Sequence, residues 1–234
     1  MNGTINFFES DCPFTFTGWE LQKQGGESTA KDYVNELGKS GDEIRRAAVN
    51  PKTSTSWEFI LAESVSVGSD IIIPDIGQVL AAWHLDQLQV RWDRGAIAPK
   101  MTVSAHKHDA GAENPHAGAR TYKSTIAVKA VAFGVPADFG ALKLAEGAVV
   151  DFRDVTYTLS LSHIDETGRS GNELKGDNHD GVETLVANFT GARADGDVVV
   201  EAGWTPTEFG KTPSNTGVTT SSFNIVKHLQ HEAA

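Results

Sequence analysis

Two segments of the sequence carry nearly the same pattern: NELGKSGDEIR at residues 35–45 and DETGRSGNELK at residues 165–175. They align without a gap, and five of the eleven positions hold the same residue (two Glu, two Gly and one Ser). Five more positions are conservative exchanges, and only Leu37 against Thr167 differs in kind. Gly and Ser favour turns, and charged residues keep a turn in water. We therefore predict an internal duplication in which each copy forms the tip of a long hairpin.

Alternating apolar and polar residues on either side of the two copies predict strands. The clearest runs lie at residues 53–61, 88–92, 101–105, 123–133, 149–163, 182–189 and 219–226. Alternation of this kind is typical of strands with one buried face, and it places Leu88, Val90 and Trp92 inward. About nine or ten strands are predicted, so the expected class is all-β and mainly antiparallel. A β-sandwich and a distorted barrel are both compatible with this pattern.

One or two short helices are expected within this fold. The best candidate is residues 75–83, where apolar residues stand at helical spacing behind a Pro-Asp start. A weaker signal lies at residues 42–48, which have acidic residues first and basic residues later, as the helix dipole prefers. A single helical turn is also expected near residues 141–144.

Length and composition favour a single β domain over residues 1–234. An apolar fraction of 39% with five Trp and eleven Phe is enough for a real core. We expect two pseudo-repeated halves, approximately residues 1–83 and 145–234, on either side of a central hairpin region. Two weaker repeats, residues 18–19 with 203–204 and residues 53–57 with 219–223, join these halves. They are explained equally well by composition, because strand-turn proteins reuse the same residue types.

Those weaker repeats link the two ends of the chain. Gly18–Trp19 recurs as Gly203–Trp204, and Thr53–Trp57 is similar to Thr219–Phe223.

The charge balance narrows the possible partners. A formal net charge of −11 argues against a reader of nucleic acid and against binding to an anionic membrane. Cys12 is the only cysteine, so neither an intrachain disulfide nor a thiolate metal cage is possible. The first residues lack the features of a signal peptide, and the apolar runs are too short to span a bilayer. We expect a protein made in the cytosol, without a cofactor or membrane partner.

Three histidines are the candidate metal ligands. His106 and His108 would share one face at a strand end, and His116 follows nearby. The third ligand would have to come from a polar, Gly-rich segment, so a solvated strand end is the preferred interpretation and no metal site is predicted.

Sequence signatures of catalysis are missing. The carboxylates are spread over hydrophilic segments, there is no Gly-x-Ser-x-Gly motif, and Cys12 has no activating neighbour. The five Trp residues could form a sugar-stacking platform, but their apolar patterns favour core packing. We therefore predict a protein that is not an enzyme.

The overall plan resembles major tail tube proteins and related virion structural proteins of tailed bacteriophages. The resemblance lies in an acidic chain of this size, a duplicated strand–loop–strand layout at residues 14–63 and 149–189, one short helix near residues 75–83 and a polar C-terminal strand. It implies hexameric rings that stack around a DNA conduit, with a long loop from each subunit reaching a neighbouring ring. Carried over by position, the contact residues are Asn35, Glu36, Lys39, Asp42, Glu43, Arg45, Asp165, Glu166, Arg169, Glu173 and Lys175.

The same resemblance implies a homo-oligomer located in the virion, assembled in the host bacterial cytoplasm beside other tail proteins. DNA would pass without sticking, because acidic walls repel phosphates. A tube subunit and a hub-like component are both compatible with two equal loops. The alternative function is a β-sandwich module that binds carbohydrate or another ligand.

Overall fold

The computed structural model describes residues 12–62, 70–93, 96, 98–108, 121–124, 128–129, 142–144, 152–167, 173–191, 198–213 and 219–229. This part of the chain is all-β and contains no helix, which confirms the predicted class. Its strands are β1 Trp19–Gln24, β2 Ser28–Leu37, β3 Glu43–Leu61, β4 Asp70–Ile71, β5 Val79–Leu80, β6 Trp83–Asp93, β7 Lys100–His108, β8 Val128–Lys129, β9 Leu142–Leu144, β10 Phe152–Thr167, β11 Glu173–Thr190, β12 Val198–Val200, β13 Thr205–Thr212 and β14 Thr220–Leu229.

Ten of these strands form one antiparallel sheet. Its order is β1-β3-β7-β6-β10-β11-β14-β13, with β2 also paired to β3 and β5 also paired to β6. The end strands β1 and β13 do not pair with each other, so the sheet is open over the described residues. Two further ladders, β4 with β8 and β9 with β12, stand apart from it.

One face of the sheet forms the core. Leu88 and Val90 are completely buried and Trp92 nearly so, as the alternation predicts. The same face of β10 buries Val155, Tyr157 and Leu159. The opposite face carries mainly Ser, Thr, Asn and Gln, a composition suited to a solvated or lightly covered surface.

The predicted helices are wrong. Within residues 75–83, Ile76 bridges to Tyr122, and β5 then turns back into β6 through a two-residue hairpin at Ala81–Ala82. Both of these alanines have positive φ, 50° and 66°, a conformation that hairpin turns normally fill with Asn or Gly. Ile76 and Trp83 are buried in the core, whereas Val79 is half-buried and Leu80 is 48% exposed, so the apolar spacing at this segment does not mark one buried face of a helix.

The two weaker helical signals also fall on strands. Residues 43–48 belong to β3, and residues 142–144 form β9. In both cases pairing with a neighbouring strand overrides the local preference.

The two edges of the sheet have the same construction. Trp19 and Trp204 each follow a glycine with positive φ, 82° at Gly18 and 92° at Gly203. Each edge strand carries a β-bulge at the same place, between Leu21 and Lys23 in β1 and between Pro206 and Glu208 in β13. The strand pairing also matches position by position. In β1 the pairs are Glu20–Ile60, Leu21–Phe59, Lys23–Glu58 and Gln24–Trp57. In β13 the equivalent pairs are Thr205–Val226, Pro206–Ile225, Glu208–Asn224 and Phe209–Phe223. The repeats at the two ends of the chain are thus structural equivalents.

The central hairpins, β6–β7 and β10–β11, match in the same way. In β6–β7 the pairs are Leu85–Ala105, Gln87–Ser104, Leu88–Val103 and Val90–Met101. The equivalent pairs in β10–β11 are Phe152–Phe189, Asp154–Asn188, Val155–Ala187 and Tyr157–Leu185. Both hairpins also carry a bulge at the equivalent point, between Leu85 and Gln87 and between Phe152 and Asp154. The sheet therefore has an approximate twofold axis, although the chain visits the hairpins in the order edge, centre, centre, edge. The division into halves at residues 83 and 145 stays a prediction.

Candidate functional site

Two hairpins extend beyond the body of the sheet. β3 pairs with β7 only as far as Lys52, and β11 pairs with β14 only as far as Gly181. We call residues 31–51 the first arm and residues 161–180 the second arm. The strand segments in these arms hold seven to nine residues, which extends each arm by roughly 25–30 Å at about 3.4 Å per residue.

The arms have the same register at their tips. Glu36 pairs with Arg45 in the first arm, and the aligned Glu166 pairs with Lys175 in the second. A bulge follows each of these glutamates, before Leu37 and before Thr167. The repeat that is visible in the sequence therefore has the same strand pairing in both copies.

Both arms project from the same end of the sheet. The first arm lies at the start of β3 and the second at the start of β11. Three strands, β7, β6 and β10, separate β3 from β11, and each neighbouring pair is antiparallel. β3 and β11 consequently run in the same direction, and their starting ends lie on one side.

The predicted contact residues divide between strands and turns. Asn35 and Glu36 lie in β2, Glu43 and Arg45 in β3, Asp165 and Glu166 in β10, and Glu173 and Lys175 in β11. Lys39 and Asp42 are exposed in the first turn, where Asp42 Oδ2 accepts a hydrogen bond of 2.6 Å from Ser40 Oγ. Arg169 lies outside the described residues. The arms thus carry these residues, and whether they form contacts with other molecules stays a prediction.

The tip of the first arm also presents apolar surface. Leu37 is 64% exposed and Ile44 is 71% exposed. The two residues flank the turn that contains the predicted contact residues Lys39 and Asp42. An apolar pair in this position gains stability when a partner removes it from water.

A polar cluster lies on the sheet face opposite the core. His84 on β6 and His106 on β7 are direct cross-strand partners, with ring centroids 5.1 Å apart. Asp86 occupies the bulge between Leu85 and Gln87. Its carboxylate lies 2.9 Å from Nδ1 of His84 and 2.6 Å from Nδ1 of His106. We call these three residues the His-Asp cluster.

Burial and hydrogen bonding define the charge states of the cluster. His84 and His106 are 1% and 0% exposed, whereas the Asp86 side chain is 22% exposed. Burial would raise the pKa of Asp86, but hydrogen bonds from His106 and His84 outweigh it and hold that pKa well below the usual range. Burial lowers the pKa of His106, against the opposing effect of Asp86, while Lys52 lowers it further. These directions favour an ionised Asp86 beside a neutral His106 at neutral pH.

The metal candidates from the sequence are only partly placed. His106 belongs to the His-Asp cluster, but the structure joins it to His84 and Asp86. The side chain of His108 and the whole of His116 lie outside what the structure describes. The sequence pattern does not reveal His84 and Asp86, because they lie between the predicted helix and the predicted strand and the bulge at Asp86 breaks the alternation there.

A second polar group lies inside the core. The Tyr157 hydroxyl donates a hydrogen bond of 2.7 Å to Oε1 of Glu183, which is completely buried, and lies 2.9 Å from Oγ of Ser124. Burial, followed by the charge of Glu183, raises the pKa of Tyr157 above its usual range. Since the pair is enclosed by apolar side chains, we interpret it as a structural hydrogen bond.

The tryptophans are core residues. Trp57 is completely buried, and the other four are 2–7% exposed. Trp57 packs edge-on against Trp83 with ring centroids 5.2 Å apart. The predicted core packing is therefore confirmed, and no Trp face is available for stacking on a sugar.

A cleft of about 450 Å³ is lined by Cys12, Phe14, Thr15, Phe16, Trp19, Glu20, Leu21 and Phe59. Cys12 and Glu20 are its ionisable side chains, and burial raises the pKa of the Cys12 thiol. A thiol with a raised pKa is a poor nucleophile at neutral pH. The expectation that the protein is not an enzyme stays a prediction.

Comparison of the chain with protein-family models and with curated proteins found no match. Within the part of the chain that the structure describes, no helix is long and apolar enough to cross a bilayer. The resemblance to tail tube proteins therefore depends on the sequence pattern.

Proposed function

We propose that the protein is a self-assembling structural subunit whose two arms bind neighbouring copies of the same chain. The observation that carries the proposal is the pair of arms, which share a tip sequence, a register and a direction. Two equivalent projections on one side of a sheet suit a subunit that makes repeated contacts in a symmetric assembly.

The physical argument rests on the marginal stability of isolated hairpins. A two-stranded ribbon buries little apolar surface, so it needs packing against another element to be stable in water. Beyond Lys52 and Gly181, the arms pair only within themselves among the described residues. Contact with a second copy would bury Leu37 and Ile44 and satisfy the unpaired strand edges.

The outer edges of the sheet are less suited to pairing between subunits. β1 and β13 each carry a bulge, and Pro206 removes a backbone donor from β13. Bulges and proline on an edge strand oppose the addition of another strand. This difference supports the proposal that the arms, rather than the sheet edges, make the contacts between subunits.

Within this class, we propose a virion component of a tailed bacteriophage, with a tail tube subunit as the first candidate. Stacked hexameric rings would join the arms of one ring to the next and would contact other tail proteins. The net charge of −11 suits a conduit through which DNA passes without adsorbing. Assembly would take place in the bacterial cytoplasm.

Sedimentation velocity and negative-stain electron microscopy of the full chain test this proposal. We expect concentration-dependent association, with rings or short tubes visible at high protein concentration. A chain that remains monomeric across the accessible concentration range would show that the arms do not bind copies of themselves. Discrete closed oligomers without stacking would favour a hub-like component over a tube.

The competing ligand-binding function makes a different prediction. A binding module would stay monomeric and would change its Trp fluorescence when glycan is added. The burial of all five Trp residues removes the stacking surface on which a carbohydrate site would depend.

A further inference from the structure

We infer that His84, Asp86 and His106 form a binding site for a divalent transition-metal ion of the Zn²⁺ class. The inference is independent of the proposed assembly function, since it depends only on side chains of the sheet body. The ligand atoms of the three residues all lie within 4.8 Å of one another.

The backbone brings these ligands together before any ion binds. His84 and His106 pair directly, which places their imidazoles side by side on adjacent strands. The bulge at Asp86 puts two successive residues, Asp86 and Gln87, on the sheet face that carries these imidazoles. Both imidazoles are buried, so their positions are fixed by packing. Asp86 remains partly exposed, which leaves an approach from solvent on its side of the cluster.

The donor set matches the chemistry of zinc. Two imidazole nitrogens and one carboxylate oxygen leave a fourth position for water or a further ligand. The same donors also bind Co²⁺ and Fe²⁺, whereas Mg²⁺ prefers an all-oxygen site. One carboxylate provides the negative charge that partly offsets the charge of the ion.

Only a small adjustment would admit the ion. In a tetrahedral site with bonds of about 2.0–2.1 Å, neighbouring ligand atoms lie about 3.3 Å apart. The distances from Asp86 to the two Nδ1 atoms are 2.6–2.9 Å, so its carboxylate would withdraw by roughly half an ångström. Each imidazole would then carry its proton on Nε2 and coordinate through Nδ1.

The location gives the ion a structural consequence. His84 is the second residue of β6 and His106 lies near the end of β7, at the end of the sheet from which both arms project. His106 pairs with Ser54 at the root of the first arm, and β6 pairs with β10 up to Ser160 at the root of the second. An ion at the His-Asp cluster would therefore tie together β6 and β7, two of the three strands that lie between the arms.

The test is a titration of chelator-treated full-length protein with Co²⁺, followed through its visible absorption, and then displacement by Zn²⁺. We expect one equivalent of Co²⁺ to bind with the spectrum of a low-coordinate nitrogen and oxygen site, and Zn²⁺ to remove that spectrum. Zn²⁺ should also raise the melting temperature, while Mg²⁺ should leave it unchanged. If the wild-type chain binds no Co²⁺, or if Mg²⁺ and Zn²⁺ raise the melting temperature equally, the inference is overturned.

Variants assign the site to these residues. Asp86→Asn keeps the side-chain shape, and His106→Gln keeps a polar group in the strand; each should weaken Co²⁺ binding at least about tenfold. His228→Gln changes an exposed histidine on β14 and serves as the matched control, with unchanged affinity expected. Undiminished binding in folded Asp86→Asn and His106→Gln proteins would overturn the assignment. Should either variant fail to fold, the wild-type titration and the comparison of Zn²⁺ with Mg²⁺ still decide it.

Discussion

Val90 on β6 and Tyr157 on β10 face each other at the point about which the two halves of the sheet are related. On either side of this pair, Leu88 faces Leu159 and Trp92 faces Val155, so the twofold operation exchanges the two contacts. Hairpins outside the centre obey the same relation, including their bulges. Equivalent positions should therefore respond to equivalent substitutions.

The turns at Gly18 and Gly203 provide a matched pair. Both glycines have positive φ, where a side chain with a Cβ is strained, so Gly18→Ala and Gly203→Ala should each lower the free energy of unfolding by about 1–2 kcal/mol. Urea denaturation measures the change. Gly26→Ala is the control, because a Cβ there meets nothing within 4 Å and its φ is not positive. Clearly different losses at Gly18 and Gly203 would contradict the structural equivalence of the two turns, and an equal loss at Gly26 would show that positive φ is not the cause.

The Tyr157–Glu183 hydrogen bond should stabilise the core. Tyr157→Phe removes a donor from a completely buried carboxyl group and should cost about 1–3 kcal/mol of unfolding free energy. Combining it with Glu183→Met removes both polar partners, and the double variant should lose less than the sum of the single variants. Additive losses in thermal or urea unfolding would mean that the two side chains are not energetically coupled.

The apolar tip of the first arm should be needed for assembly. Leu37→Asp and Ile44→Asp each replace an exposed apolar side chain by a charge, and each should raise the dissociation constant of the oligomer at least about tenfold. Sedimentation velocity at several concentrations measures this change. Ile72→Asp is the control, since Ile72 is 61% exposed but lies outside the arms. If Ile72→Asp weakens assembly as much as Ile44→Asp, the tip has no special role.

Charge reversal separates hairpin stability from contact between subunits. Glu36→Lys alone places two positive charges opposite each other, since Glu36 pairs with Arg45, and should destabilise the arm by roughly 0.2–1 kcal/mol. Adding Arg45→Glu restores an opposite-charge pair within the arm. We expect assembly to remain weak in this double variant, because the partner surface meets reversed charges.

The equivalent exchange at Glu166 and Lys175 should give the same result in the second arm. Recovery of full assembly in either double variant would show that the charges act only inside the hairpin. Light scattering coupled to size exclusion distinguishes the two outcomes.

Stability should fall below neutral pH because of His106. Its pKa is lower in the folded protein than the ordinary value near 6.5, so the unfolded chain takes up the proton first. The contribution is fully present above about pH 6.5 and decreases as the pH falls towards the folded pKa. The depressed pKa of Asp86 adds a loss only below about pH 4, so the two effects are separated.

Urea unfolding at pH 7.5, 6.0 and 5.0 in chelator-treated buffer measures this dependence. His106→Asn keeps a hydrogen-bond donor for Asp86 but does not titrate, and it should flatten the decline. His228→Asn, at an exposed position, should leave it unchanged. Identical pH profiles for the wild type and His106→Asn would contradict the role given to His106.

The sequence by itself determined the fold class and the hairpin tips. Alternation at Leu88, Val90 and Trp92 identifies a strand with one buried face, since a period of two residues suits only that geometry. The repeated Gly and Ser residues identify the first turn, where Gly41 has a φ of 85°, because few other residues adopt such an angle; residues 168–172 of the second copy lie outside the described residues.

Only the tertiary structure determined the conformation of residues 75–83 and brought the residues of the His-Asp cluster together. Ala81 and Ala82 adopt a turn with positive φ that their residue type does not predict; the pairing of β5 with β6 and the backbone hydrogen bonds of Gly77 and Gln78 with Leu85 hold it. His84 and His106 meet because of the register between two strands, and a bulge brings Asp86 to them. This register and this bulge depend on how β6 packs with β7 in the whole sheet, so the residues around His84 and Asp86 do not predict them when taken alone.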